Sequence, residues 1–153
     1  MSARDASMPC GPRSPILKVT LDTCVLKLAT LSNPVNKSAV IVELCLRGAV
    51  RPYSTPDILA EYQRVLSDSP LLLEQVQSRF HLCLPLFSAT AIAHEPDNRI
   101  LECALAAQAD YLITVNTARG HFDRKSYGDV KVATPGEFLA LSSVKALLRR
   151  LAD

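Results

Sequence analysis

The sequence predicts an α/β domain in which a mainly parallel sheet is covered by helices on both faces. Short β-rich runs alternate with amphipathic helical runs nearly throughout, and that pattern is the signature of a parallel sheet with helical crossovers. The length of 153 residues suits one hydrophobic core. The composition, 48% hydrophobic and 21% charged, is that of an ordinary globular chain. Trp is absent and aromatics are scarce, so Leu, Val, Ile and Ala must build the core.

Taken in order, Met1 to Pro15 is rich in Ser, Pro, Gly and Arg and has no apolar period. It reads as a disordered leader, with residues 16–153 as a single domain. Ile16 to Leu21 alternates and is β-rich, so it predicts the first strand, ending at Asp22. Residues 24 to 31 fit a short helix, broken by Ser32-Asn33-Pro34. Asn36 to Arg47 fits a second helix, with Gly48 as its C′ residue. Val50 to Tyr53 reads as a strand, and Pro52 would suit an edge position. Thr55-Pro56-Asp57 is an N-cap with Pro at N1. The helix after it carries Ile58, Leu59, Tyr62, Val65 and Leu66 at helical spacing. Pro70 to Arg79 fits another helix, and His81 to Phe87 is expected to contain a strand. Pro96 opens a helix that buries Ile100, Leu101, Ala104 and Leu105. Tyr111 to Val115 predicts a strand ending at Asn116. A polar loop with Gly120 and Gly128 follows, then a strand near Val130 to Val132. Thr134-Pro135-Gly136-Glu137 has the pattern of a capping box. The chain ends in one helix, or a pair broken near Ser142-Ser143.

The formal charge of +2 announces no large basic field, although a few Lys and Arg around a cleft would not show in it. Five cysteines, Cys10, Cys24, Cys45, Cys83 and Cys103, are widely spaced with no CxxC pair. They read as reduced thiols of a cytoplasmic protein, mostly small core residues. His81, His94 and His121 are also scattered, so no zinc spacing is visible. His94 and His121 read as solvated loop residues. No apolar run is long enough to span a bilayer, and no membrane role is expected.

In an open parallel sheet, ligands bind beyond the carboxyl ends of the strands. Asp22 and Asn116 follow strands there. Asp97 sits in the first turn of a helix, and Glu61 one turn into another. Four polar side chains can therefore meet at one cleft. Carboxylates without thiol or imidazole partners suit a hard cation such as Mg²⁺, and such an ion serves phosphoryl chemistry. Each residue also has a plain structural reading. Asp22 and Asn116 can be turn formers, Glu61 a solvated flank charge, Asp97 a helix-dipole partner and Asp110 a turn residue.

Several segments together resemble the PIN-domain family. Leu21-Asp22-Thr23-Cys24-Val25-Leu26 is similar to its opening motif, and Ile58 to Tyr62 with Val65-Leu66 to its second. Glu95 to Ala107 resembles the third, Ala109 to Asn116 the fourth, and Thr134 to Leu139 the end of a bacterial branch of toxin components from toxin–antitoxin pairs. The resemblance spans about residues 17 to 140. It implies a three-layer α/β/α domain and a Mg²⁺- or Mn²⁺-dependent endoribonuclease acting on RNA. Asp22, Glu61 and Asp97 would hold metal, with Thr114 orienting the ligands by hydrogen bonding. It also implies an antitoxin protein as partner and a homodimer. Two departures stand out. Cys24 replaces the commoner Asn, and a thiol is a poor hydrogen-bond donor. Asn116 replaces an acid, which leaves three central carboxylates with Asp110 or Glu102 at the margin, weaker metal affinity and a doubtful second ion. A catalytically weak module that binds RNA or protein is the alternative. A haloacid-dehalogenase phosphatase would want Asp at position 24, and nucleotide-binding folds a Gly-rich loop after the first strand; neither is present.

Overall fold

The computed structural model describes residues 16–152; the predicted leader and Cys10 lie outside them. β1 (Lys18–Leu21) is the hub of the sheet. Its Val19, Thr20 and Leu21 are fully buried, so both faces of the strand are covered. β2 (Arg51–Ser54) pairs parallel to one side of it and β4 (Tyr111–Ile113) parallel to the other. β3 (His81–Leu82) lies beyond β2, and β6 (Val130–Ala133) beyond β4, both parallel. β5 (Ser126–Tyr127) closes the β6 edge in an antiparallel hairpin. The order β3-β2-β1-β4-β6-β5 means that the chain leaves β1 in one direction and returns on its other side. The crevice between the ends of β1 and β4 is the topological switch point, where such sheets bind ligands.

Seven helices complete a three-layer α/β/α domain. They are α1 (Thr23–Ala29), α2 (Lys37–Leu46), α3 (Pro56–Val65), α4 (Pro70–Arg79), α5 (Asp97–Ala106), α6 (Pro135–Leu139) and α7 (Ser142–Ala152). Local chemistry sets several starts. Asn36 accepts from the Ala39 amide and Thr55 from the Ile58 amide, each quenching an orphan donor of the first turn. Thr134 and Glu137 form the expected capping box. The chain between α6 and α7 breaks as the sequence suggested, next to Ser142-Ser143. No helix among the described residues is long and apolar enough to cross a membrane.

Two expectations need correction. Pro52 lies on an interior strand, not an edge. Arg51 donates to Leu17 on the β1 side, so by alternation the missing amide of Pro52 faces β3. That strand begins only opposite Tyr53, and no ladder bond is lost. The polar loop before β6 also contains β5, a two-residue strand paired across the Gly128-Asp129 turn. Gly128 has φ +60, the left-handed conformation that a tight hairpin needs.

Candidate metal centre

The carboxyl end of β1 delivers Asp22 into the crevice. Its backbone amide donates to the Ile113 carbonyl at 2.9 Å, which ties it to the end of β4. On the other side, the Leu21 carbonyl accepts the buried Tyr62 hydroxyl at 2.6 Å. Tyr62 is fully buried on α3, so this bond locks the strand end against that helix. Asp22 occupies the N-cap position of α1 but makes no side-chain capping bond. Instead its Oδ2 accepts the Thr114 hydroxyl at 2.7 Å and the Cys24 thiol at 3.4 Å. Thr114 Oγ1 in turn accepts the Asn116 amide at 2.9 Å, which aims its proton at Asp22. The carboxylate is held for something other than the helix.

Electrostatics agree. Burial, and then the nearby negative charge of Asp97, push the Asp22 carboxyl pKa up, against the hydrogen bonds from Thr114 and Cys24. The like charge of Asp97 disfavours the ionised form of Asp22, and a cation near both would offset it. Cys24 is pushed up to about 11, by burial first and by Asp22 second. It is therefore a protonated thiol donor, and it does support Asp22.

Asp97 is the first residue of α5, one position past the N-cap residue Pro96. Its Oδ2 lies 2.9 Å from His121 Nδ1 and its Oδ1 3.3 Å from His94 Nδ1. One donor atom from each of these three residues lies within 4.8 Å of the others. Both histidines lie in loops with solvent access, as expected; sequence reasoning missed that they meet at Asp97. They lie 27 positions apart, and no local spacing could link them. The link is tertiary: the His94 amide donates to the Gly120 carbonyl at 2.8 Å, and Gly120 has φ +89. Asn98, fully buried, fixes the same loop through Ile92, accepting its amide at 3.0 Å and donating to its carbonyl at 2.9 Å.

The other named positions differ. Glu61 is half-buried on α3, and its carboxylate makes no hydrogen bond or ion pair among the described residues. The side-chain amide of Asn116 is likewise unengaged among them. Asp110 lies at the opposite end of β4, about 13 Å of strand away from Thr114, where it accepts the Lys18 amide at 2.8 Å. Glu102 is five residues beyond Asp97, about 140° around the helix. It accepts the Ala89 amide at 2.8 Å and pairs with Arg99 at 2.8 Å. Both marginal acids hold the fold rather than the cluster.

A cavity of about 570 Å³ lies beside the loop that carries His121, lined in part by Tyr111, Thr117, Arg124, Lys125 and Lys131. Asp123 and Glu137 also line it, whereas Asp22, Glu61 and Asp97 do not. The four described cysteines are free.

An acid follows the first strand, a second opens a helix, and a Thr stands at the end of the neighbouring strand, in a three-layer α/β/α domain. A family model described as PIN domain matches residues 18–118, more than half of the chain, and the chain belongs to that family. PIN domains have a nuclease-like fold and are in general divalent-metal-dependent ribonucleases. No curated protein and no solved structure matches the chain.

The donor set fits such an ion. Asp22 is buried with a raised pKa, Asp97 opposes it with like charge, and the buried Thr23 hydroxyl next to Asp22 has no partner.

Proposed function

We propose that the chain is a Mg²⁺- or Mn²⁺-dependent endoribonuclease whose ion is held by Asp22 and Asp97, with Glu61 reaching it directly or through water. The observation that carries this reading is the posture of Asp22. A buried carboxylate leaves the helix it could cap without a side-chain capping bond and feels the negative charge of a second carboxylate, Asp97. A divalent ion there lowers the pKa of a water and offsets charge on a scissile phosphate. Thr114 and Cys24 keep Asp22 in one rotamer by donating to its Oδ2. Asn116 orients Thr114 through its amide and offers a neutral side-chain carbonyl in place of an acid. Arg124, Lys125 and Lys131 beside the loop supply cations for the RNA backbone. An RNA substrate puts the protein in the cytoplasm in this reading.

The test is cleavage of unstructured RNA by the purified chain with Mn²⁺ or Mg²⁺. Asp22→Asn and Asp97→Asn should each abolish cleavage. Equal cleavage by the variants sinks the reading. The neutral amide of Asn116 favours one second reading, a module that binds RNA or protein without cutting. Mn²⁺ calorimetry separates the two, because the module should bind no ion at millimolar concentration. Asn116→Asp should tighten Mn²⁺ if the nuclease reading holds. A toxin role belongs to the same proposal: expression alone should arrest growth, and co-expression of an antitoxin protein should relieve it. Light scattering tests the homodimer.

A further inference from the structure

We infer that His94, Asp97 and His121 form an imidazole-containing ion site that takes Zn²⁺ in preference to Mg²⁺. The site shares Asp97 with the nuclease reading but does not depend on catalysis. Three observations carry it. First, both rings present the same nitrogen, Nδ1, to the carboxylate, at 2.9 and 3.3 Å. Neighbouring donors on one zinc ion, each about 2.0–2.1 Å from it, stand about 3 Å apart. The two contacts are to different oxygens of Asp97, and one donor atom from each of the three residues lies within 4.8 Å of the others, close enough for all three to reach one ion.

Second, the two rings are held side by side, with their centroids 4.6 Å apart. A carboxylate needs only one of them as a partner. A divalent cation uses both rings as neutral ligands, through Nδ1, and leaves each Nε2–H free for solvent.

Third, the site is built by the backbone rather than by chance contact of two surface side chains. The His94 amide is bonded to Gly120. The Asp97 amide donates to the His94 carbonyl at 3.0 Å, and the Gly120 amide donates to Asp123 at 3.0 Å. Phe122, next to His121, is buried. The loop before α5 and the loop after β4 are thereby stitched together at this point.

The donor chemistry chooses the ion. Carboxylate and water suit Mg²⁺, whereas imidazole suits zinc-like ions. Two histidines and one carboxylate form the three-ligand set of catalytic zinc sites, which keep one position open. The side chains of His94 and His121 are 49% and 34% exposed while that of Asp97 is 8% exposed, so the open position faces solvent.

The experiment uses the tag-free full chain, stripped of metal and titrated with Co²⁺ as a spectroscopic stand-in, then with Zn²⁺ against a competing chelator. The expected result is one ion per chain, with visible bands of low-coordinate Co²⁺ that Zn²⁺ abolishes. His94→Gln and His121→Gln should each weaken Zn²⁺ by about 100-fold or more, beyond the loss typical of an outer partner. Asp22→Asn should leave Zn²⁺ affinity nearly unchanged, and the histidine variants should still bind Mn²⁺. In the parent protein, Zn²⁺ should shift the imidazole ¹⁵N resonances of His94 and His121, a readout that needs no variant to fold. If Co²⁺ and Zn²⁺ binding survives both histidine variants but fails in Asp22→Asn, the carboxylates alone hold the ion and the inference is overturned while the nuclease reading stands. If the parent binds Mn²⁺ but neither Zn²⁺ nor Co²⁺, the outcome is the same. If it binds none of the three, both readings fall.

Discussion

Replacing Asp22 by Asn separates the two jobs that an acid at a strand end can have. If the carboxylate were a structural hydrogen-bonding group, losing its charge would weaken the fold. The geometry argues the reverse. Asp22 is buried, and burial and then Asp97 raise its carboxyl pKa above the ordinary 3.8. The folded state then binds the proton more tightly than the unfolded state. Metal-free stability should therefore fall as pH rises from 3.8 toward the folded-state pKa, and this contribution should be level above it.

The Asp22→Asn variant keeps a side-chain carbonyl to accept the Thr114 hydroxyl and the Cys24 thiol, and it removes the like-charge repulsion. In EDTA near neutral pH it should be more stable than the parent by about 1 kcal/mol, within the usual gain from relieving a functional site. For a domain of this size that is about 2–4 °C in Tm. In Mn²⁺ the order should reverse. At about 100 times Kd, the parent gains about 2.7 kcal/mol by linkage, and the variant gains almost nothing. Circular-dichroism melts of both proteins, in EDTA and in Mn²⁺ and across the acid range, check all three statements. A metal-free variant less stable than the parent by 1 kcal/mol or more, on the order of one lost charged hydrogen bond, would refute the argument from burial and like charge.

Other perturbations follow from the same geometry. Tyr62→Phe strands the buried Leu21 carbonyl and should cost about 2 kcal/mol; because that carbonyl precedes Asp22, Mn²⁺ affinity measured by calorimetry should drop with it. Asn98→Ala leaves both the amide and the carbonyl of Ile92 without their partners and should cost about 3 kcal/mol in urea unfolding. Arg124→Ala with Lys125→Ala should leave the melting curve in place and weaken RNA binding. The slope of log K against log salt should shrink by about 1 for every RNA phosphate that the two side chains had neutralised. An unchanged salt slope would remove the basic wall from the RNA path.

The features readable in the sequence were those that depend on local pattern. Alternating strands and amphipathic helices announced the sheet, and Asp22 and Asp97 were visible because a strand end and a helix first turn are local facts. Their meaning was not local. Whether an Asp at such a position caps its helix is decided by where its side chain finds partners, and Thr114 is 92 residues from Asp22. The two histidines were opaque for the same reason: a backbone bond from His94 to Gly120 creates their meeting, and no periodicity encodes it. Short strands escaped through their length. β5 has two residues, too few for alternation to show. Pro52 misled because the rule that keeps Pro at edges concerns a missing donor, and the donor is not missed where the neighbouring strand has yet to begin.

Asp22 and Asp110 show how position on the sheet assigns different work to one residue type. Each flanks a parallel strand, and each accepts hydrogen bonds. Asp110 stands at the amino end, where the Lys18 amide donates to its Oδ2, and it makes the start of β1 and β4 a closed structural joint. Asp22 stands at the carboxyl end, where strand carbonyls and helix starts converge and chain reversal opens a crevice. Its Oδ2 there accepts from two side chains, Thr114 and Cys24, which hold the carboxylate without neutralising it. Asp97 receives the same treatment from His94 and His121. A fold that only needed Asp22 as a cap had amides available in the first turn of α1, and it makes no side-chain capping bond there. In the nuclease reading a cation offsets the like charge of Asp22 and Asp97, and that reading makes the crevice, rather than the cavity beside it, the place to look for chemistry.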